Sequence, residues 1–137
     1  DPVILCEFAR QALKGHIISR FLGEDRTLYC ITLDPRLEEE IQTSISQGAG
    51  GGIMTLAPER ALEIIESIRN VFNEASSQSG TSDVVLLASP LIRLHLFRMI
   101  ERKIDNLAVL SYSEISDDVP LKVLGTVRCS SKGKIAA

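Results

Sequence analysis

Three times along this chain, a run of β-forming residues ends in a small or capping residue followed by proline, and a helical pattern begins. Proline suits the first turn of a helix because its missing N–H would have no intrahelical partner, and Asp or Ser before it can cap the free N–H groups. These junctions predict strands that alternate with helices, which is typical of a layered α/β fold. The three junctions are Asp34-Pro35, Ala57-Pro58 and Ser89-Pro90.

The spacing of apolar residues between these junctions predicts the individual elements. The segment 84–88 is continuously apolar, which indicates a strand buried on both faces in the middle of a sheet. Strands are predicted at about 27–33, 53–56, 84–88, 107–111 and 119–127. Helices are predicted at about 2–22, 36–46, 58–76 and 90–104.

Composition agrees with this architecture. Apolar residues make up 45% of the 137 residues, whereas aromatic residues make up 4% and Trp is absent. We therefore expect an aliphatic core. The predicted fold class is α/β, with helices packed on a small, mostly central sheet as an α/β sandwich, preceded by one further helix.

The first helix is expected to pack through an apolar stripe. Asp1 can cap it, and Pro2 fits its first position. Apolar residues recur at helical spacing and mostly avoid the charged positions. The stripe consists of Leu5, Ala9, Ala12, Leu13, Ile17 and Phe21.

Charge and cysteine content narrow the function class. The net charge of −3 gives no protein-wide basic field, so nucleic acid is not the expected partner. The cysteines, Cys6, Cys30 and Cys129, lie too far apart for a metal motif and favour a reducing compartment. We expect buried packing residues, with Cys129 an exposed thiol in a tail.

Membrane-spanning and targeting segments are not evident in this sequence. No apolar run approaches the ~18 to 20 residues that cross a bilayer, and no signal peptide is visible. Because the chain opens directly in a helical pattern, we expect a fragment of a longer protein, whose upstream part could contain membrane helices.

The glycine run Gly50-Gly-Gly52 is the nearest approach to a phosphate-binding motif. A P-loop needs Lys and then Ser or Thr after the glycines, and a dinucleotide fingerprint needs glycines that open a helix after a strand. Here Ile-Met-Thr follows, and a strand is predicted next. The segment 47–52 is interpreted as a flexible connection.

No catalytic, cofactor-binding or metal-binding group is predicted. The strand ends, where α/β enzymes place their chemistry, hold Asp34, Ala57, Ser89 and Ser111-Tyr112. Asp34 and Ser89 are better interpreted as helix caps. His16 and His95 lie in predicted helices without a partner at metal-ligand spacing, and are expected to be partly exposed. No Gly-x-Ser-x-Gly motif is present.

Charge is segregated on one predicted helix. The helix 90–104 carries Arg93, Arg98, Arg102 and Lys103 against Glu101, whereas the helices 36–46 and 58–76 are rich in Glu. The arginines form either an ordinary solvated face or a protein-docking face that uses charge for orientation. Arg93, Arg98 and Arg102 are the candidate protein-binding residues.

Several segments resemble the type III secretion export gate family, which includes the flagellar FlhA and the virulence-type SctV and InvA-like proteins. Cys6 to Ile17 is similar to the family's helix with the pattern Glu-x-Val-Arg-x-Ala-Leu. Ile31 to Pro35 resembles the first strand and cap of its last subdomain. Leu107 to Ile115 resembles its closing segment, where Val-Leu-Ser-x-x-Glu-Ile recurs. The three motifs occur in the family's order.

The resemblance implies that this is the C-terminal cytoplasmic part of such a gate, a non-enzymatic module for recognition and export of secreted substrates. Residues 1–24 would be the last helix of the third cytoplasmic subdomain, 25–128 the fourth, and 129–137 a flexible tail. The full protein would form a nonamer at the cytoplasmic face of the bacterial inner membrane. Its partners would be chaperone–substrate complexes and the export ATPase stalk protein, and it would need no cofactor.

Two further readings of the residues stay open. The chain could be a regulatory α/β domain that binds a small molecule, or a small enzyme. A thermal-shift screen against nucleotides, metals and acidic metabolites would identify the first, because a ligand that binds only the native state raises its stability. Turnover of a generic ester or phosphate substrate would identify the second.

Overall fold

The computed structural model describes residues 2–13, 20–22, 26–45, 55–80, 83–115 and 118–129. The predicted connection at 47–52, His16, and the tail beyond Cys129 lie outside these residues. So do Ile53 and Met54 of the predicted second strand.

The first junction forms as the sequence predicts. Strand β1 (Leu28–Leu33) is followed after one residue by helix α2 (Pro35–Thr43). A carboxylate oxygen of Asp34 accepts a hydrogen bond from the backbone N–H of Arg36 at 2.8 Å, which satisfies an N–H group that has no intrahelical partner.

Four strands, four α-helices and one 3₁₀ turn are present in the described residues. The α-helices are α1 (Pro2–Ala12), α2 (Pro35–Thr43), α3 (Pro58–Ser79) and α4 (Arg93–Ile100). The strands are β1 (Leu28–Leu33), β2 (Val85–Ala88), β3 (Ala108–Ser111) and β4 (Leu121–Val127), and the 3₁₀ turn η1 spans Tyr112–Glu114.

All four strands are parallel and lie in the order β3-β2-β1-β4. Strand β2 lies between two neighbours and is buried at every position, which confirms the prediction for 84–88. The order reverses between β1 and β4, so the connection from β3 to β4 has to return across the sheet. Right-handed crossovers place this return on the face opposite the helices, where Ile115 and Val119 pack.

Two apolar clusters cover the two faces of the sheet. Helices α2, α3 and α4 pack on one face, and their buried residues include Ile41, Ile68 and Leu96. The second face holds a smaller cluster centred on Leu28 and Leu87. This arrangement is the predicted α/β architecture with an aliphatic core. Both faces of the sheet are covered, as the stability of a parallel sheet requires.

Three predicted elements differ from the structure. Thr55 and Leu56 are not in a strand. The helix after Ser89 starts at Arg93 and ends at Ile100 rather than spanning 90–104. It starts late because the hydroxyl and carbonyl oxygens of Ser89 accept hydrogen bonds from backbone N–H groups at 91–93 and form a turn before the helix. The first helix ends at Ala12, and Arg20 and Phe21 lie in a turn.

Candidate functional site

The carboxyl edge of the sheet is occupied by the protein's own carboxylates. Glu38 on α2 accepts a hydrogen bond from the backbone N–H of Ser89 at 2.7 Å. Glu114 does the same for the backbone N–H of Ser111 at 3.0 Å. Asp34 likewise binds a backbone N–H group at the start of α2. Backbone N–H groups at this edge that could hold a phosphate are therefore already bound to carboxylates. The predicted cap role of Asp34 is therefore confirmed.

A chain of four charged side chains joins α1 to the sheet at this edge. Arg93 Nε lies 2.6 Å from Glu7 Oε1 and 4.0 Å from Glu114 Oε1. The guanidinium of Arg10 binds both carboxylate oxygens of Glu114, at 3.1 and 3.0 Å. We call Glu7, Arg93, Glu114 and Arg10 the joint network. Its charges alternate in sign along the chain of contacts, so each ion has an opposite charge beside it.

The joint network lies largely out of solvent. The side chain of Glu114 is 0% exposed and that of Arg93 is 4% exposed. Arg93 also donates to the carbonyl oxygen of Val109 at 3.3 Å. Removal of one partner from a buried pair costs about 3–5 kcal/mol because the other charge is left unpaired. The network therefore fixes where α1 sits on the sheet.

The structure separates the three arginines that the sequence predicts as a docking face. Arg93 is buried in the joint network, so its predicted place on the solvent-exposed surface is wrong. It starts α4 beside the end of β3, where Glu7 and Glu114 attract its charge. Arg98 and Arg102 are exposed, and their role in binding remains a prediction.

His95 is buried rather than partly exposed, which corrects the prediction for this side chain. Burial lowers its pKa below the ordinary value, and the positive charge of Arg98 acts in the same direction. The native protein therefore favours neutral imidazole at position 95.

Helix α1 turns its predicted packing stripe away from the sheet. Of the predicted stripe, Leu5 is 69% exposed, and Ala9, Ala12 and Leu13 are also exposed. Two neighbouring apolar residues outside the stripe, Ile4 and Phe8, are exposed as well. The buried side of the helix instead carries Glu7. Phe21, in the turn before β1, instead packs against the second apolar cluster, so the described residues of the predicted stripe do not share one environment.

A second ion cluster holds α2, α3 and the end of β4 together. Arg60 binds both carboxylate oxygens of Glu40 at 2.7 Å. The hydrogen bonds raise the pKa of Arg60 and hold the pKa of Glu40 below its usual value. Arg60 also donates to the carbonyl oxygen of Cys129 at 3.0 Å and lies 3.2 Å from its sulfur.

The cysteines are free thiols. Cys129 packs against α3 through Arg60 and is only partly exposed, so the prediction of an exposed tail thiol is wrong. Cys30 is buried in β1, and burial raises its pKa to about 11. A thiol with so high a pKa carries little of the reactive thiolate form at neutral pH.

The described residues contain neither a metal-binding cluster nor a membrane-spanning helix. Among them, no group of three or more His, Cys, Asp or Glu side chains is arranged to hold a metal ion. Within the same ranges, no helix combines the length and the apolar character that crossing a bilayer requires.

Sequence reasoning missed the joint network, although one signal for it was present. Ser111 and Glu114 form a capping box, in which the Ser side chain and the Glu carboxylate satisfy each other's backbone N–H groups. The pattern Ser-x-x-Glu at the end of a predicted strand could have identified Glu114. Nothing local to Glu7 or Arg93 indicates that they meet, because 86 positions separate them.

The chain matches known proteins over nearly its whole length. Residues 1–120 match the FHIPEP family. The flagellar biosynthesis protein FlhA of Bacillus subtilis is 31% identical over 127 residues, a match that covers 93% of this chain and 18% of FlhA.

Solved structures share the fold. The nonameric EPEC SctV-C superposes with a TM-score of 0.80 at 35% identity, covering 93% of this chain and 37% of SctV-C. The Chlamydia pneumoniae CdsV protein, in its complex with CdsO, gives 0.78 at 29% identity, with 93% and 37% covered.

The chain thus spans about a fifth of the curated FlhA relative, at 18%, and rather more than a third of the solved SctV-C. Sequence match and shared fold agree, and the resemblance noted from the motifs is confirmed. The solved neighbours are C-terminal cytoplasmic domains of type III export gate proteins. The chain itself belongs to the FHIPEP family.

Proposed function

We propose that this chain is the C-terminal cytoplasmic portion of a type III protein secretion export gate and acts as a protein-binding module in recognition and export of secreted substrates. The observation that carries the proposal is the match of 93% of the chain, at 35% identity, to the nonameric SctV-C. The whole gate would lie at the cytoplasmic face of the bacterial inner membrane.

The paired charges favour binding over catalysis. Carboxylates at the carboxyl edge are engaged with backbone N–H groups or arginines, and a general acid or base needs a proton that it can exchange with substrate. This arrangement supports a rigid surface whose exposed side chains contact other proteins.

The exposed face of α1 supports a subdomain boundary within the chain. We propose that residues 1–24 complete the third subdomain, that 25–128 form the fourth and that 129–137 form a tail. Ile4, Leu5 and Phe8 would then pack against the upstream part of the same polypeptide, since an apolar stripe of this kind is stabilised by burial.

Two solved neighbours support part of the proposed set of partners. SctV-C is nonameric, and CdsV was solved with CdsO. The full protein would likewise assemble as a nonamer, and its proposed contacts with the export ATPase stalk protein and with chaperone–substrate complexes rest on the resemblance to the family. No cofactor enters this function.

Charge reversal at Arg98 and Arg102 tests the docking role. In the full-length gate, expressed in the source bacterium, Arg98→Glu with Arg102→Glu should lower the secreted protein in the culture medium at least several-fold. The reason is that exposed interface charges steer and orient partners. Cellular levels of the gate should stay unchanged because both side chains are exposed.

A matched control reverses two other exposed cations, with Arg36→Glu and Lys122→Glu on α2 and β4. It makes the same change in net charge and should leave secretion near the native level. Equal secretion by both double variants would contradict the role of Arg98 and Arg102. If a gate that lacks the whole of residues 25–128 still secreted normally, the proposed function itself would be contradicted.

A further inference from the structure

A second surface feature lies at the amino ends of β2 and β3, away from the joint network. Here a pocket of about 710 Å³ opens beyond the end of α4. Its apolar wall includes Phe97 and the buried Leu107, with Phe21 from the segment before β1. The pocket is a broad, open depression rather than an enclosed cavity.

The charged side chains that line this pocket are all acidic. Three of its nine lining residues are carboxylates, Asp83, Glu101 and Asp105, and none is basic. All three are exposed. Helix α4 ends at Ile100, directly before Glu101, so the negative end of the helix dipole adds to the same field.

Aromatic walls and carboxylates together suit one kind of side chain. A guanidinium or ammonium group is attracted both to the faces of phenyl rings and to carboxylates, and its aliphatic stem packs on apolar surface. Phosphates and nucleic acid would be repelled by the same charges. The ligand chemistry is therefore that of arginine or lysine.

We propose that this pocket binds a basic, amphipathic segment of a partner protein, with an Arg or Lys side chain inserted between Phe21 and Phe97 and facing Glu101. The proposal rests on the proposed function, because it names the chemistry of a protein that docks on the fourth subdomain. Arg98 directly follows the pocket-lining Phe97 on α4, and Arg102 directly follows Glu101 just beyond the helix. Acidic residues beside the inserted cation would therefore complement these two arginines.

The decisive variant is Glu101→Lys. Glu101 caps the carboxyl end of α4 and is exposed, where a cation is favoured by the helix dipole. The variant should therefore keep its fold and its thermal stability. Its control, Glu39→Lys on the exposed side of α2, makes the same change in net charge away from this pocket.

The probes are two synthetic peptides with one leucine pattern at helical spacing, one carrying Arg at the flanking positions and the other Glu. Titrated into the ¹⁵N-labelled 137-residue chain, the Arg peptide should shift the amide signals of Asn106, Leu107 and Ala108. It should bind at least about tenfold more tightly than the Glu peptide, and Glu101→Lys should weaken it about tenfold, the effect of one lost charge contact.

The proposal would be overturned by no binding of the Arg peptide, by equal binding of both peptides, or by equal loss with Glu101→Lys and Glu39→Lys. Shifts confined to another surface, such as β4, would also overturn it. These results would leave the secretion assay for Arg98 and Arg102 untouched, so failure of this pocket and failure of the proposed function are distinguished.

Discussion

Arg93 and Arg98 lie on the same helix, yet the protein uses them in different ways. Arg93 begins α4 and is 4% exposed between two carboxylates. Arg98 lies in the last turn and faces solvent, where a cation interacts favourably with the helix dipole. Residue type alone does not separate a structural arginine from a surface arginine; the neighbours that the fold supplies do.

Truncation of these two arginines should have very different effects on stability. Arg93→Met leaves Glu7 without its partner and weakens the pairing of Glu114, so the free energy of unfolding should fall by about 3–5 kcal/mol. Arg98→Met should change it by no more than about 0.5 kcal/mol, as is usual at the surface. Urea unfolding followed by circular dichroism measures both, and equal effects would contradict the structural role of the joint network.

At the scale of elements, β4 depends on close contact with α3. A Cβ atom built on Gly125 would lie 2.9 Å from Cγ1 of Val71, which is closer than side chains pack. The register with β1 also shifts between Cys30 and Ile31, so that Leu124 has no partner in the pairing. Gly125 thus allows the bulged edge strand to approach the helix.

Gly125→Ala should destabilise the chain by about 1–3 kcal/mol, because an extra methyl group in a well-packed contact forces neighbours apart. Val71→Ala removes the opposing methyl groups, so the double variant should be more stable than the sum of the two single changes predicts. Thermal unfolding of the four proteins gives this coupling. Strictly additive effects would show that the contact does not limit stability.

Predictions from the sequence succeeded where local chemistry decides the structure. Asp34-Pro35 carries its own cap and its own helix start, and β1 and α2 form there as expected. After Ser89-Pro90 the same pattern gave the wrong helix start, because Ser89 closes a turn before α4 begins. A short pattern cannot distinguish these two uses of one serine.

At the scale of the whole molecule, α1 is joined to the sheet chiefly through charges. The pairs Glu7–Arg93 and Arg10–Glu114 make this contact, while the large apolar side chains Ile4, Leu5 and Phe8 are exposed. A helix of 11 residues is too short to be stable alone in water. Its order in this chain therefore depends on ion pairs, one of which is partly open to solvent.

Salt should loosen α1 selectively. Arg10 is 26% exposed, so raising NaCl from about 0.05 M to about 1 M, which shortens the screening length to about 3 Å, weakens its pair with Glu114. Backbone amides of α1 should then exchange with deuterium several-fold faster, while those of β1 and β2 stay protected. Hydrogen exchange with mass spectrometry measures both regions.

Arg10→Gln provides the matched variant for this prediction. It should speed exchange in α1 already at low salt and remove most of the further effect of added salt, since the screened pair is gone. An equal salt response in the native and variant proteins would contradict the role of this ion pair.

The site was harder to predict than the fold for a physical reason. Arg10 and Glu114 are 104 positions apart, and only the completed topology brings them together. The apolar stripe on α1 did not help, because periodicity shows that a helix face is apolar but not which part of the protein packs against it. Arg98 and Arg102 were exposed as expected, whereas Arg93 was not.

The carboxylates at the carboxyl edge limit which small molecules can bind at the ends of the strands. Glu38 and Glu114 accept hydrogen bonds from the backbone N–H groups of Ser89 and Ser111, so each of these two strand ends already has a negatively charged partner. ATP and sugar phosphates would have to displace these carboxylates before their own oxygens could reach the backbone N–H groups. The protein's own charges thus close these two strand ends to anionic metabolites.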